Sequence, residues 1–192
     1  MAVRSREAIV YKRTVRYPQG QGSRTAWTAC WLRSGRRTKL AETGENPWSD
    51  SATSGPLRLA GRFLAFPVTY TDRYNESSLA VTVYDLASGS RYYTLDYWNG
   101  FEGPPLRLEA VLLTRDGVVA YAVRVSGVNV YPLRTRLVAW SGRRYDAARD
   151  GVPRPLDDGP AGSITSLRLA GATLTWLHDG VPRSATLTRP GR

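Results

Sequence analysis

The sequence predicts an all-β protein built from about four copies of one unit near 55 residues long, and three observations predict it. First, an aromatic residue recurs at Tyr11, Phe66, Tyr121 and Trp176, a constant step of 55 in a chain where aromatics are 10% of residues. The two residues before each correspond as well: Ile9-Val10, Leu64-Ala65, Val119-Ala120 and Leu174-Thr175. Second, "LRLAG" is written twice, at 57–61 and 167–171. Third, no segment of ten or more residues carries a helical apolar period, whereas stretches such as "SLAVTVYDL" (78–86) alternate with the period of two that a half-buried strand requires.

Taken in chain order, the first repeat supplies strands at 6–17, 25–32 and 36–40, with a turn at Ser34-Gly35 and at most a stub for an innermost strand. In the second, a short apolar strand at 57–59 turns at Ala60-Gly61-Arg62 and returns over 63–70. It continues with 78–86, a tight turn at Ala87–Ser90 and a fourth strand at 91–95. The third repeat follows the same plan with 109–114, 118–125, 134–140 and 144–148; its first turn, Arg115-Asp116-Gly117, holds the Asp-Gly pair that favours a hairpin. The last repeat has strands at 163–169, 173–177 and 181–187 and lacks a fourth. Four antiparallel strands in succession form a meander sheet, the content of one propeller blade. The predicted architecture is therefore a single β-propeller-like domain over 1–192, with repeats at 1–55, 56–105, 106–160 and 161–188, incomplete terminal blades and a tail at 189–192. The aromatic at every 55th position is expected to fill the space between neighbouring sheets. Incomplete terminal blades leave three possibilities: a closed four-bladed ring, an open segment of a larger ring, or self-association through unpaired sheet edges.

The 42% hydrophobic and 22% charged content is ordinary for a globular domain, and no apolar stretch approaches the roughly 18 residues of a membrane-spanning helix. The first 17 residues are charged where a signal peptide needs an apolar run. The net charge of +11 is concentrated in residues 1–40, where ten basic residues face Glu7 alone. Arginine forks match phosphate and carboxylate, so Arg13, Arg16, Arg36 and Arg37 form a candidate polyanion-binding set, with nucleic acid as the partner it implies.

Catalytic chemistry finds little support. Asp116, Asp150 and Asp179 each precede a glycine and read as turn residues, and Asp157-Asp158-Gly159 offers too few spaced oxygens for a calcium loop. His178-Asp179 has Ser184 nearby but no nucleophile elbow. Cys30 lies between Ala29 and Trp31 and reads as a buried, inert thiol; as the single cysteine it excludes an intramolecular disulfide, and with the single histidine it excludes the usual zinc clusters. No cofactor motif is written, and Gly20-Gln21-Gly22 lacks the residues of a phosphate-cradling loop. Two features suggest binding. Tyr97, Trp98 and Phe101 crowd the connection from the second repeat to the third, where loop aromatics can stack on a sugar or anchor a protein. The polar loop at 70–78, with Asp72 and Tyr74, interrupts the same repeat, and loops on a rigid scaffold are where function concentrates.

The pattern "LxLxGxxLAF…VYDLASGxxxxL", at 57–95, resembles the blade pattern of bacterial propeller-type repeat proteins, including the propeller half of TolB-like translocation proteins. The segment at 156–187, "LDDGPAGSITSLRLAGATLTWLHDGVPRSATL", resembles the closing repeat of secreted repeat proteins of Arg-rich bacteria. The resemblance implies a propeller fold and a secreted or periplasmic location. The expected function is a non-enzymatic module binding a protein or carbohydrate through its blade-connecting loops. Polyanion binding by the Arg-rich first repeat is the alternative, and a carbohydrate-active propeller using Asp72 and Glu102 a third.

Overall fold

The computed structural model describes residues 3–16, 22–46, 49–72, 77–99, 106–127, 130–140 and 154–188. Among them every regular element is a β-strand. The strands form three antiparallel sheets, none closed into a barrel. None of the described residues forms a helix long and apolar enough to cross a membrane.

The first repeat supplies β1 (Val3–Arg4), the expected stub, then β2 (Ala8–Arg16), β3 (Ser23–Trp31) and β4 (Arg36–Asn46), each paired with the next. The second supplies β6 (Arg58–Ala60), β7 (Phe63–Thr71), β8 (Ser77–Asp85) and β9 (Ser90–Asn99). These two repeats were expected as separate blades, and here the structure differs. An additional strand, β5 (Ser49–Ser54), pairs with β4 through Gly44↔Ala52 and with β7 through Ala52↔Tyr70, joining them into one nine-stranded sheet. Its sequence, "SDSATS", carries no apolar alternation. Ladder hydrogen bonds on both sides hold it in place, so hydrophobic patterning gives no sign of it.

The third repeat forms a four-stranded sheet of β10 (Arg107–Leu113), β11 (Val119–Gly127), β12 (Val130–Trp140) and β13 (Arg154–Pro160). The fourth strand expected at 144–148 lies outside the described residues; β13 takes the place beside β12, with Arg134 opposite Pro160. The last repeat forms a three-stranded sheet of β14 (Ile164–Ala170), β15 (Thr173–His178) and β16 (Val181–Thr186), as its sequence predicts.

Three apolar cores separate four layers. Ala8, Val10, Trp27, Ala29 and Trp31 of the first repeat pack on Leu64, Phe66, Val68, Tyr84 and Leu86 of the second. The opposite face of the second, with Phe63, Ala65, Leu79, Val81 and Val83, packs on Val111, Val119, Tyr121, Val123 and Trp140. The other face of the third, with Val118, Ala120, Leu137 and Ala139, packs on Ile164, Leu174 and Trp176. Alternation along each second strand therefore assigns one set of residues to the preceding layer and the other to the following layer. The periodic aromatics belong to the first set. Phe66, Tyr121 and Trp176 are buried, each burial worth roughly 1.5–3 kcal/mol. Tyr11 is not: it is 45% exposed, because none of the described layers packs against that face of the first repeat. At the other end of the stack, Thr173 and Thr175 stand where the earlier layers have Ala8 and Val10, Phe63 and Ala65, and Val118 and Ala120. Both threonines are exposed, giving the last layer a polar outer face.

The two LRLAG copies are equivalent turns. Ala60 pairs with Phe63 and Ala170 with Thr173, leaving two-residue connections that begin at Gly61 (φ 56°) and Gly171 (φ 60°). That left-handed first position is where a hairpin turn of this kind takes glycine.

Candidate functional site

The sheets have two distinct ends. At one lie the ends of β7 and β9, next to the segments where the sequence placed its ligand-binding residues. Tyr97 pairs with Leu79 and Trp98 with Ser78; Ser78 also pairs with Tyr70, so the end of β9 lies one strand away from the end of β7 and its following residue, Asp72. The backbone thus brings the Tyr97–Trp98 segment and the Asp72 loop to the same end of the sheet. Phe101, Glu102 and Tyr74 lie outside the described residues.

The four arginines expected to bind polyanions do not form one group. Arg13 and Arg16 lie on β2 opposite Ala26 and Ser23, whereas Arg36 and Arg37 begin β4 opposite Trp31 and Cys30. Ser23 and Trp31 are eight residues apart on one strand, so Arg16 and Arg36 are separated by roughly 27 Å. Arg36 also donates through Nη1 to the Ser88 carbonyl, tying the first layer to the β8–β9 turn. Cys30 is half-buried, more open than its apolar neighbours suggested.

Residues 157–184 hold a polar cluster beside the last core. The Asp157 carboxylate accepts from Trp176 Nε1 at 2.6 Å and faces His178 Nδ1 at 2.8 and 2.9 Å. Burial pushes its pKa up, but the indole, the imidazole and the Asp158 amide together hold it below the ordinary value. Asp179, which sequence proximity paired with His178, is 3.7 Å from Nε2 and serves instead in the Asp179-Gly180 turn, both residues with positive φ. Ser184 sits on β16 opposite Thr175, exposed. Ser163 is nearer: a Cβ on Gly159 would meet both its Oγ and His178 Nε2. That hydroxyl is sealed from solvent and without a hydrogen bond, so no substrate carbonyl can reach it. The cluster fastens β13 to β15 and is not a hydrolytic triad.

At the opposite end, turns from all four repeats converge on one cavity of about 800 Å³. Its walls come from Ser5-Arg6-Glu7, from Trp31 and Arg33, from Leu59–Arg62, from Leu113-Thr114-Arg115, and from Leu169 and Gly171. Each turn is locally organised. The Ser5 hydroxyl accepts from the amides of Glu7 (3.1 Å) and Ala8 (3.0 Å). The Thr114 hydroxyl accepts from the Val118 amide at 2.9 Å and donates to the Asp116 carboxylate. Arg33 donates to Glu7 Oε1 at 2.9 Å and lies over the Trp31 ring, 5.9 Å from its centroid. Arg62 pairs with Asp85 at 3.4 Å and covers the Phe63 ring at 5.0 Å. The sequence reading assigned these turns to architecture alone. Their signal was present: the 55-residue register aligns Glu7 with Arg62 and Arg6 with Gly61, and arginine stands in three of the four equivalent turns.

No family model matches the chain, and no curated protein or solved structure matches it either.

Proposed function

We propose that this chain is a propeller-like binding module, without catalysis of its own, that takes its ligand in the turn-end cavity. The observation that carries the reading is that cavity: equivalent turns of four successive layers line one space of about 800 Å³, within the size range of small-molecule sites. The stacked sheets hold these turns as a frame, and the Ser5 and Thr114 hydroxyls pin the backbones of two of them before a ligand arrives. The resemblance to bacterial propeller repeats at 57–95 and 156–187 agrees with this use of the fold. The loop-end residues Asp72, Tyr97 and Trp98 remain the alternative contact surface.

The test is hydrogen exchange on the full chain after incubation with a small-molecule extract, alongside native mass spectrometry for retained species. Protection of 5–7, 60–62 and 113–115 is expected. Protection confined to 70–79 and 97–98 would move the site to the loop end, and no retained species with no protection would end the reading.

A second reading rests on the outer part of β2. From Tyr11 to Arg16 every residue is exposed, so β2, β3 and β4 extend past the core as a basic ribbon carrying Lys12, Arg13 and Arg16. Trp27 of β3 and Thr43 of β4 are buried beside this stretch, so the open part of the ribbon is β2 itself, and such a basic strand fits a polyanion. Its binding to DNA would weaken with salt at a log–log slope near −0.9 per phosphate neutralised, and a flat slope would exclude it.

A further inference from the structure

We infer that the turn-end cavity binds a multiply charged small oxyanion, a polyphosphate or a polycarboxylate, gripped by Arg6 and Arg115. The inference rests on the reading of that cavity as the ligand site and assigns its chemistry.

Four arginines against one glutamate line the cavity, leaving a formal charge of +3 on its wall. Two of the four are engaged: Arg33 with Glu7, and Arg62 with Asp85 and the Phe63 ring. Arg6 and Arg115 make no ion pair or hydrogen bond among the described residues. Both are exposed, and unpaired arginines on an open surface are common and say little. These two differ because each is mounted on a turn whose backbone a hydroxyl pins, Ser5 for Arg6 and Thr114 for Arg115. Their turns also approach each other across Gly61. A Cβ there would lie 3.6 Å from the Arg115 carbonyl and 3.9 Å from Glu7 Oε2, so those two oxygens are at most about 7.5 Å apart. Arg6 and Arg115 line this one space from the first and third layers. A guanidinium presents paired N–H donors that match two oxygens of a phosphate or carboxylate. Two such forks on opposing turns are satisfied together, each by its own group, when the anion carries two or more charged groups. The cavity's size sets the class to a small molecule.

The experiment is calorimetric titration of the full chain, in 150 mM chloride at neutral pH, with inorganic tripolyphosphate in one arm and citrate in the other. Binding of one equivalent in at least one arm is expected, and the stronger arm identifies phosphate or carboxylate as the source. Arg6→Gln and Arg115→Gln should each weaken it about tenfold or more, as loss of a charge-assisted contact implies. Arg115→Lys, which keeps the charge and loses the fork, should fall between wild type and Arg115→Gln. Arg107→Gln, exposed on β10 opposite Arg124 and outside the cavity wall, should stay within about twofold, and circular dichroism confirms folding of every variant. Equal weakening by Arg107→Gln would mean non-specific charge and overturn the inference, as would wild-type affinity in Arg6→Gln and Arg115→Gln. If neither anion binds while a neutral species still protects the turn end, the oxyanion assignment fails and the cavity reading survives. Anion binding that protects the ribbon or the loop end instead removes both.

Discussion

Trp27 meets Phe66 edge to face, ring centroids 5.4 Å apart and planes at 68°. The two rings belong to the first and second layers, and the Trp27 indole is anchored on its own layer by donating to Thr43 Oγ1 at 2.9 Å. The contact is a seam between repeats, so its loss should weaken layer-to-layer attachment and not only one side chain's burial. Phe66→Ala is expected to cost about 3–5 kcal/mol, the range for truncating a buried aromatic. In a double-mutant cycle with Trp27→Leu and Phe66→Leu, the two residues should couple by about 0.5–1.5 kcal/mol beyond area burial. Urea denaturation measures both; additive single effects would show that the ring geometry contributes nothing of its own.

Tyr11 tests the repeat from the other side. It shares the register of Phe66 and Tyr121 but is exposed, with no described layer packed on it. Tyr11→Ala should therefore change stability by less than about 0.5 kcal/mol, the ordinary range for a surface substitution. Tyr121→Ala should cost several times more. A large loss in Tyr11→Ala at micromolar concentration, disappearing on dilution, would reveal that another copy covers that face.

What the sequence could disclose follows from the same pair. Period, alternation and Asp-Gly or Ala-Gly turns report which backbone positions are equivalent, so most strand positions were legible, as were the stub β1 and the three-stranded last sheet. Burial depends on a neighbour that the period does not name, which is why Tyr11 was expected inside. β5 escaped because its six residues are held by hydrogen bonds and bury no apolar stripe. The cavity was hidden for a third reason. Its arginines are scattered at 6, 33, 62 and 115, and only the stacking of layers brings them together.

On β4, Glu42 sits between Arg24 of β3, which it contacts directly, and Lys39 Nζ at 2.8 Å. Hydrogen bonds from Arg24 first, and from Lys39 second, bring its pKa down to about 2. The folded value lies below the unfolded one, near 4.3, so any stabilisation from the cluster is present above that pH and fades as pH falls toward 2. A carboxyl-detected NMR titration should find Glu42 titrating near 2, well below the ordinary glutamate value of about 4.3. Arg24→Gln should move it upward, and added salt should move it the same way by less, since contact pairs are screened weakly. Titration of Glu42 near 4 would mean that the triad does not persist in solution.

Asp157 gives the sharpest pH prediction. Its carboxylate receives the Trp176 indole, the His178 imidazole and the Asp158 amide, and Arg183 stands 3.7 Å away. Burial favours the protonated acid, but a protonated oxygen would confront an N–H donor, and the donors prevail, holding the pKa below its ordinary value. Depression of a carboxyl pKa on folding means stability that is complete above the unfolded value, near 3.9, and is lost as pH drops through the folded one. Asp157→Asn keeps the shape and turns an amide N–H toward one of those donors. It should cost about 1–3 kcal/mol at pH 7, the range for an unsatisfied buried group. The gap from wild type should narrow as the solution is taken below pH 4, where wild type loses the same charge. Asp158→Asn is the control. Its neighbours Arg134 (2.9 Å) and Arg136 (3.5 Å) are substantially exposed, and surface pairs of this kind contribute about 0–1 kcal/mol. Urea midpoints of the three proteins across pH 3 to 7 decide the matter. A gap between Asp157→Asn and wild type that stays constant through acid would show that shape and not charge holds β13 against β15.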